Sequence, residues 1–273
     1  MSASLLLLSW SLAFGQRASF HHVHLNARDP VSAIRFYTSK FDCQASTFAG
    51  KPAVWTHHCW LLFEKAKRMA SPADSPIWHI GWGAEDMPSA YQKQLASGTK
   101  FHTPLTDISD LANFKGFYFA YIEGPDQALI EINTAPHHQF GHVHLFSQDP
   151  HQAADWYEKH FGVKARKSRP EPRIYRNFQV GPSASFQIGR VNVILFPAGY
   201  RGHSRFRSSR GTVFDHVAFS VEDLAAAFQQ MQTSGVRILA GPKRIRGSQQ
   251  RSFFVEGPDQ IVIEVVEGHA KQP

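Results

Sequence analysis

The 273-residue chain is 42% hydrophobic and 13% aromatic, which excludes a disordered or fibrous protein and allows one large or two ordinary domains. Its formal charge is +7. Much of the excess lies between Lys164 and Arg210, with Arg166, Lys167, Arg169, Arg173, Arg176, Arg201, Arg205 and Arg207; it reads as a solvated surface or as an anion-attracting rim beside a site. Basic residues are not interleaved with aromatics on a recognition helix, so nucleic acid is not an expected partner.

Residues 1–19 contain the apolar run SLLLLSWSLAFGQ. Its small residues Ala13 and Gly15 fit a signal peptidase site, although no Lys or Arg precedes the leucines. The run is shorter than the roughly 20 apolar residues of a membrane span. The expectation is a periplasmic or secreted protein without a stable membrane span, or a cytoplasmic one if the segment is not a signal. Cys43 and Cys59 are either a disulfide or two buried thiols.

From Phe20 the chain repeats. FHHVHLNARDP at Phe20 returns as FGHVHLFSQDP at Phe140. In both copies Asp-Pro opens a helix, with Asp capping and Pro in the first turn, and aromatic residues at Phe36-Tyr37 and Phe41, or Trp156-Tyr157 and Phe161, form a buried face. Weaker echoes start at Ile77 (IWHIGWGAEDM) and Phe214 (FDHVAFSVEDL), each a strand followed by an acidic pair and a helix. The stretches FAYIEGPDQALIEI and SFFVEGPDQIVIEV are strand–turn–strand hairpins. The chain therefore reads as four units of strand, helix and three strands, the third lengthened by arginine-rich loops.

Residues two apart on a strand share a face, so His22 and His24 point together, as do His142 and His144. Histidine recurs at the first-strand position of every unit: His22, His79, His142 and His216. Glu131 and Glu264 stand on apolar strands, where a carboxylate is costly unless paired or metal-bound. The first and third units are expected to carry Leu62 and Leu195 there, with Glu64 a further donor in the first. Two imidazoles and a carboxylate suit a divalent metal with open positions.

With these motifs the chain from Phe20 to about Glu267 resembles the vicinal oxygen chelate (VOC) superfamily of glyoxalase I, extradiol dioxygenases, fosfomycin-resistance transferases and bleomycin-binding proteins. The resemblance implies an α+β fold of four βαβββ modules forming two open barrels in tandem, at 20–136 and 137–267, before a tail at 268–273. It implies metal ligands His22, His79 and Glu131 in the first half and His142, His216 and Glu264 in the second. His24 and His144 are candidates for acid–base or ligand roles. One carboxylate per triad favours extradiol-type dioxygenase chemistry with Fe(II) or Mn(II), in which Tyr121 matches a proton-handling tyrosine and His57, His58 and His203 are candidates for the matching histidine; Phe254 replaces the tyrosine in the second half.

The competing readings are a glyoxalase-like isomerase or lyase with Zn(II) or Ni(II), and a metal-free bleomycin-resistance-like protein holding a flat ligand between Trp55, Trp60, Trp78, Trp82 and Phe117. A small, anionic or aromatic molecule is the expected partner, and a homodimer is left open.

Overall fold

The structure, a computed structural model, describes residues 18–201 and 206–271. The N-terminal apolar run and His203 lie outside the described residues. Among those described, no helix is long and apolar enough to cross a membrane.

The four expected units are present. The first holds β1 (Ser19–Ala27), α1 (Pro30–Lys40), β2 (Gln44–Phe48), β3 (Lys51–Trp55) and β4 (Trp60–Lys65). The second holds β5 (Ile77–Ala84), α2 (Met87–Ala96), β6 (Phe101–Asp107), the single turn α3 (Ser109–Ala112), β7 (Tyr118–Glu123) and β8 (Leu129–Thr134). The third begins with β9 (Phe140–Ser147) and α4 (Pro150–Phe161); β10 (Ala165–Lys167), β13 (Ala184–Ile188) and β14 (Val191–Pro197) follow. Its extra length forms a separate ribbon of β11 (Arg173–Tyr175) and β12 (Phe178–Gly181). The fourth holds β15 (Phe214–Val221), α5 (Leu224–Thr233), β16 (Ile238–Arg244), β17 (Arg251–Glu256) and β18 (Val262–Glu267).

The helices start where the capping chemistry requires. Asp29 accepts hydrogen bonds from the Val31 and Ser32 amides, and Asp149 does the same for His151 and Gln152. Asp86 and Asp223, from the acidic pairs, cap α2 and α5.

The strands do not pair as two consecutive halves. One eight-stranded sheet runs β16-β17-β18-β15-β1-β4-β3-β2, joining the first unit to the fourth. The other runs β10-β13-β14-β9-β5-β8-β7-β6, joining the second to the third. Each sheet therefore takes one unit from 20–136 and one from 137–267. The reason is that β1 lies antiparallel to β15 and β5 to β9, so each first strand finds its partner in the other half of the chain.

The two EGPDQ turns tie the sheets together. Asp126 accepts from the Arg28 amide at 3.0 Å, and Asp259 accepts from the Gln148 amide at 2.9 Å. Each turn thus clasps the residue before the Asp-Pro of its neighbouring unit. Asp126 and Gln127, like Asp259 and Gln260, adopt positive φ between 55° and 68°, a conformation Asp tolerates better than most residues.

One core spans all four units. Val23 and Leu25 of β1 point into it while His22 and His24 point to the concave face of their sheet. Phe20 meets Phe140 at 6.1 Å and Phe219 at 5.8 Å. Trp82 stacks on Phe41 at 4.3 Å and abuts Phe140 edge-on at 5.0 Å. Trp55 and Trp60 pack against each other with Phe48.

The two cysteines are free. Cys59 is fully buried with its Sγ 3.1 Å from Thr56 Oγ1, and Cys43 donates to the Tyr37 carbonyl. Burial pushes both thiols up to about 12. The expected outcome is negligible reaction of the native protein with a thiol reagent near pH 8 and two thiols titrated after unfolding; one thiol reacting rapidly in the native state would contradict this packing.

Candidate metal centres

The antiparallel pairing of first strands brings histidines from opposite halves together. In the first sheet His24 lies opposite His216 and His22 opposite Ala218. In the second sheet His79 lies opposite His144 and Gly81 opposite His142. The parallel neighbours then bring the carboxylates alongside, with Glu264 beside Ala218 and Glu131 beside Gly81. Two clusters result, one on each sheet.

In the first cluster Glu264 Oε2 lies 3.2 Å from His22 Nε2 and 3.3 Å from His216 Nε2. The His24 ring stacks on His216 at 4.5 Å. Ligand atoms of His22, His24 and His216 lie within 4.8 Å of one another. The ring orientations are fixed from behind. His21 Nδ1 sits 2.8 Å from His22 Nδ1, and His216 Nδ1 donates to Asp215 at 2.6 Å. Asp215 also accepts from the Gly211 amide and from Asn26. Both ligand-position histidines therefore turn Nε2 toward Glu264, each ring held through its other nitrogen as metal-bound imidazoles are.

Electrostatics suits the same role. Burial alone would raise the Glu264 carboxyl, but the hydrogen bonds from His216 and His22 outweigh it and hold the group well below the usual range. Burial lowers His22, and brings His24 down to about 3 with help from His216, so both are neutral at pH 7. Burial also opposes the Asp215 charge, yet His216 brings that carboxyl down to about 2. Replacing Asp215 with Asn keeps the shape but removes the charge behind His216. The expected result is a 10–100-fold loss of metal affinity, on the order seen for such partners; a competitive chelator titration measures it, and unchanged affinity would rule out an orienting role.

In the second cluster His79 Nε2 lies 2.9 Å from Glu131 Oε2 and 2.8 Å from His144 Nδ1. His142 Nε2 is 3.8 Å from Glu131 Oε1, which accepts from Asn133. Ligand atoms of all four side chains lie within 4.8 Å of one another. Here burial raises the Glu131 carboxyl, outweighing His142, Asn133 and Tyr121. No carboxylate adjoins His79 in sequence; the residue at the Asp215 position is Trp78.

The donor sets suit a metal. His142 Nε2 is buried and makes no hydrogen bond although it faces a Glu131 oxygen at 3.8 Å, and His22 Nε2 and His216 Nε2 converge on one Glu264 oxygen. Buried imidazole nitrogens normally find partners, and a divalent ion between the three groups supplies one.

The clusters differ in front. A cavity of about 660 Å³ opens onto His22, His24, His216 and Glu264. The second cluster is covered by aromatic rings: Trp78 stacks on His144 and on Phe146, Phe196 packs on His144 at 4.7 Å, and Tyr121 lies 5.0 Å from His79.

Residues 139–265 match the family model of the Glyoxalase/Bleomycin resistance protein/Dioxygenase superfamily. The first two units repeat the same strand order, and both sheets carry the same His, His, Glu arrangement. Over residues 139–265 the chain matches the vicinal oxygen chelate superfamily. The fold of the chain is similar to that of glyoxalase I from Zea mays, at 14% identity and a TM-score of 0.71 over 92% of this chain and 93% of that one. A candidate dioxygenase from Bacillus subtilis is similar at 13% identity and a TM-score of 0.64, over 93% and 86%. No curated protein matches the sequence.

The sequence-derived ligand sets are regrouped by this pairing of the sheets. His22 joins His216 and Glu264, and His142 joins His79 and Glu131. The carboxylate-equivalent positions of the first and third units are Leu62, beside His24, and Ile194, beside His144. Leu195 points the other way, into the core. Glu64 pairs with Lys51 at 2.6 Å at the cavity wall. Tyr121 bonds Glu131 in the covered cluster, and its counterpart Phe254 lines the open cavity. His57 pairs with Asp42 on an exposed turn, and His58 packs near Phe140, so neither belongs to a cluster. The tryptophans proposed as a ligand cage are core residues or cover the second cluster. His21, Asp215 and Asn133 were not singled out in the sequence; the signal for the first two is their place directly before a ligand-position histidine.

Proposed function

We propose that the protein is a metal-dependent VOC enzyme whose reaction takes place at the open cluster of His22, His216 and Glu264, with extradiol-type oxygen chemistry on a small chelating substrate. The observation that carries this reading is the cavity that opens onto that cluster and not onto its aromatic-covered twin. A volume of about 660 Å³ falls within the range of small-molecule sites.

His22 Nε2, His216 Nε2 and a Glu264 oxygen would hold the ion. Fe(II) or Mn(II) held there would supply Lewis-acid and oxygen-activating chemistry to a chelating substrate. Leucine and isoleucine at the remaining carboxylate positions leave one carboxylate per site, and this supports dioxygenase over glyoxalase-type ligation.

His24 is half-buried and faces the cavity. Its neutral imidazole accepts a proton from a substrate hydroxyl and returns it to a product oxygen. Phe254 lies against His216 at 5.3 Å and closes one wall, keeping water from the site.

Loading the purified protein anaerobically with Fe(II) and measuring oxygen uptake with a panel of catechols tests the proposal. Metal binding with catechol-dependent uptake is the expected result. Metal binding without uptake, together with isomerisation of a thiol–ketoaldehyde adduct by the Zn(II) or Ni(II) form, would replace it with the glyoxalase-type reading. Failure to bind any metal would sink it.

A further inference from the structure

The open cavity has a polarity the metal cluster does not explain. Besides the metal cluster, Lys243, Arg244 and Arg246 line it. Arg210 lies 5.7 Å from the Phe254 ring centroid, and Lys243 lies 5.9 Å from it. Lys51 also lines the cavity but is neutralised by Glu64. Among the described residues, Lys243, Arg244 and Arg246 form no ion pair; the Arg244 guanidinium donates to the neutral Gln249 side-chain oxygen. The remaining acidic groups nearby are Glu264 and Asp215, and both are engaged by histidines. Much of the remaining wall is apolar: Phe48, Pro52, Leu62, Ile245 and Phe254.

Lys243 and Arg244 end β16, and Arg246 sits on the braced loop that follows. The Ile245 amide bonds the Gln250 carbonyl at 2.9 Å, the Ser248 amide bonds Ile245, and the Gln250 side chain bonds Glu267. Gly247, at φ +83°, lies so close to the β2–β3 turn that a Cβ there would stand 2.3 Å from the Ala49 carbonyl oxygen. The two edges of the sheet thus meet across the cavity mouth, and three uncompensated cations are held over it.

We infer that the substrate is an organic acid, with metal-chelating oxygens at the Glu264 cluster, an apolar or aromatic body, and an acidic substituent recognised by Lys243, Arg244 and Arg246. This rests on the metal-centre reading above. Two guanidinium groups and an ammonium favour a carboxylate over its neutral isostere. Because they are exposed, their contribution is screened by salt.

The test uses the full chain loaded with redox-inert Zn(II), its metal content measured separately. Calorimetric titration compares protocatechuate with its carboxamide, which share the chelating catechol and differ in charge. The acid should bind about tenfold more tightly or better at low ionic strength. The gap should narrow in high salt and in the variant K243S/R246S, with the amide unaffected. Equal affinities in protein of full metal content would overturn the acid-group assignment and leave the metal centre standing. Protein without metal would overturn both.

Discussion

Glu264→Ala is expected to reduce activity to the level of the metal-free protein, whereas Glu131→Ala leaves it largely intact. Glu264 is the one carboxylate touching both ligand-position histidines of the open cluster. Removing it leaves two imidazoles and no anionic ligand, a set that holds a hard divalent ion poorly. Loss of a hydrogen-bond partner behind a ligand costs on the order of 10–100-fold in affinity, and loss of an anionic ligand should exceed that. The checks are metal content and turnover of both variants side by side. Activity lost in Glu131→Ala and retained in Glu264→Ala would place the reaction under the aromatic cover instead.

Gly81→Ala is the second large effect. A Cβ at Gly81 would stand 2.0 Å from His142 Cε1 and 2.3 Å from its Nε2. The imidazole is buried, with the His79 ring 5.5 Å and the His144 ring 5.6 Å away, so it has little room to retreat. The expected results are dismantling of the covered cluster, a loss of about 1–3 kcal/mol by overpacking, and a fall in Tm of several degrees by scanning calorimetry. Protocatechuate binding at the open site should be unchanged. A variant as stable as the parent, with both clusters loading metal, would show that His142 has another place to go. On the first sheet the same position is already Ala218, so there His22 tolerates a methyl group opposite it.

The repeat was readable because it is local: Asp-Pro caps, strand histidines and EGPDQ turns all lie within a few residues of what they organise. Six ligand-position residues were readable for the same reason. Their grouping was not, since β1 finds β15 nearly two hundred residues away and either pairing satisfies the same hydrophobic alternation. Ile194 and Leu195 show the limit on a smaller scale: one step of register decides which faces His144 and which the core. The cavity cations escaped notice because Lys243–Arg246 form a modest cluster beside the richer Lys164–Arg210 stretch. Much of that stretch is surface, with Lys167 bonded to Asp155 and Arg176 paired with Asp110.

The crossed pairing of the sheets makes the chain a two-fold dimer written as one polypeptide. Each half supplies one HVH strand to one centre and a His–Glu pair to the other. Neither half holds a complete donor set. Severing the connector at 135–139 would leave both centres whole while the fragments stay docked, and separating the fragments would abolish both centres together. Co-expressed fragments should therefore recover metal binding that neither recovers by itself.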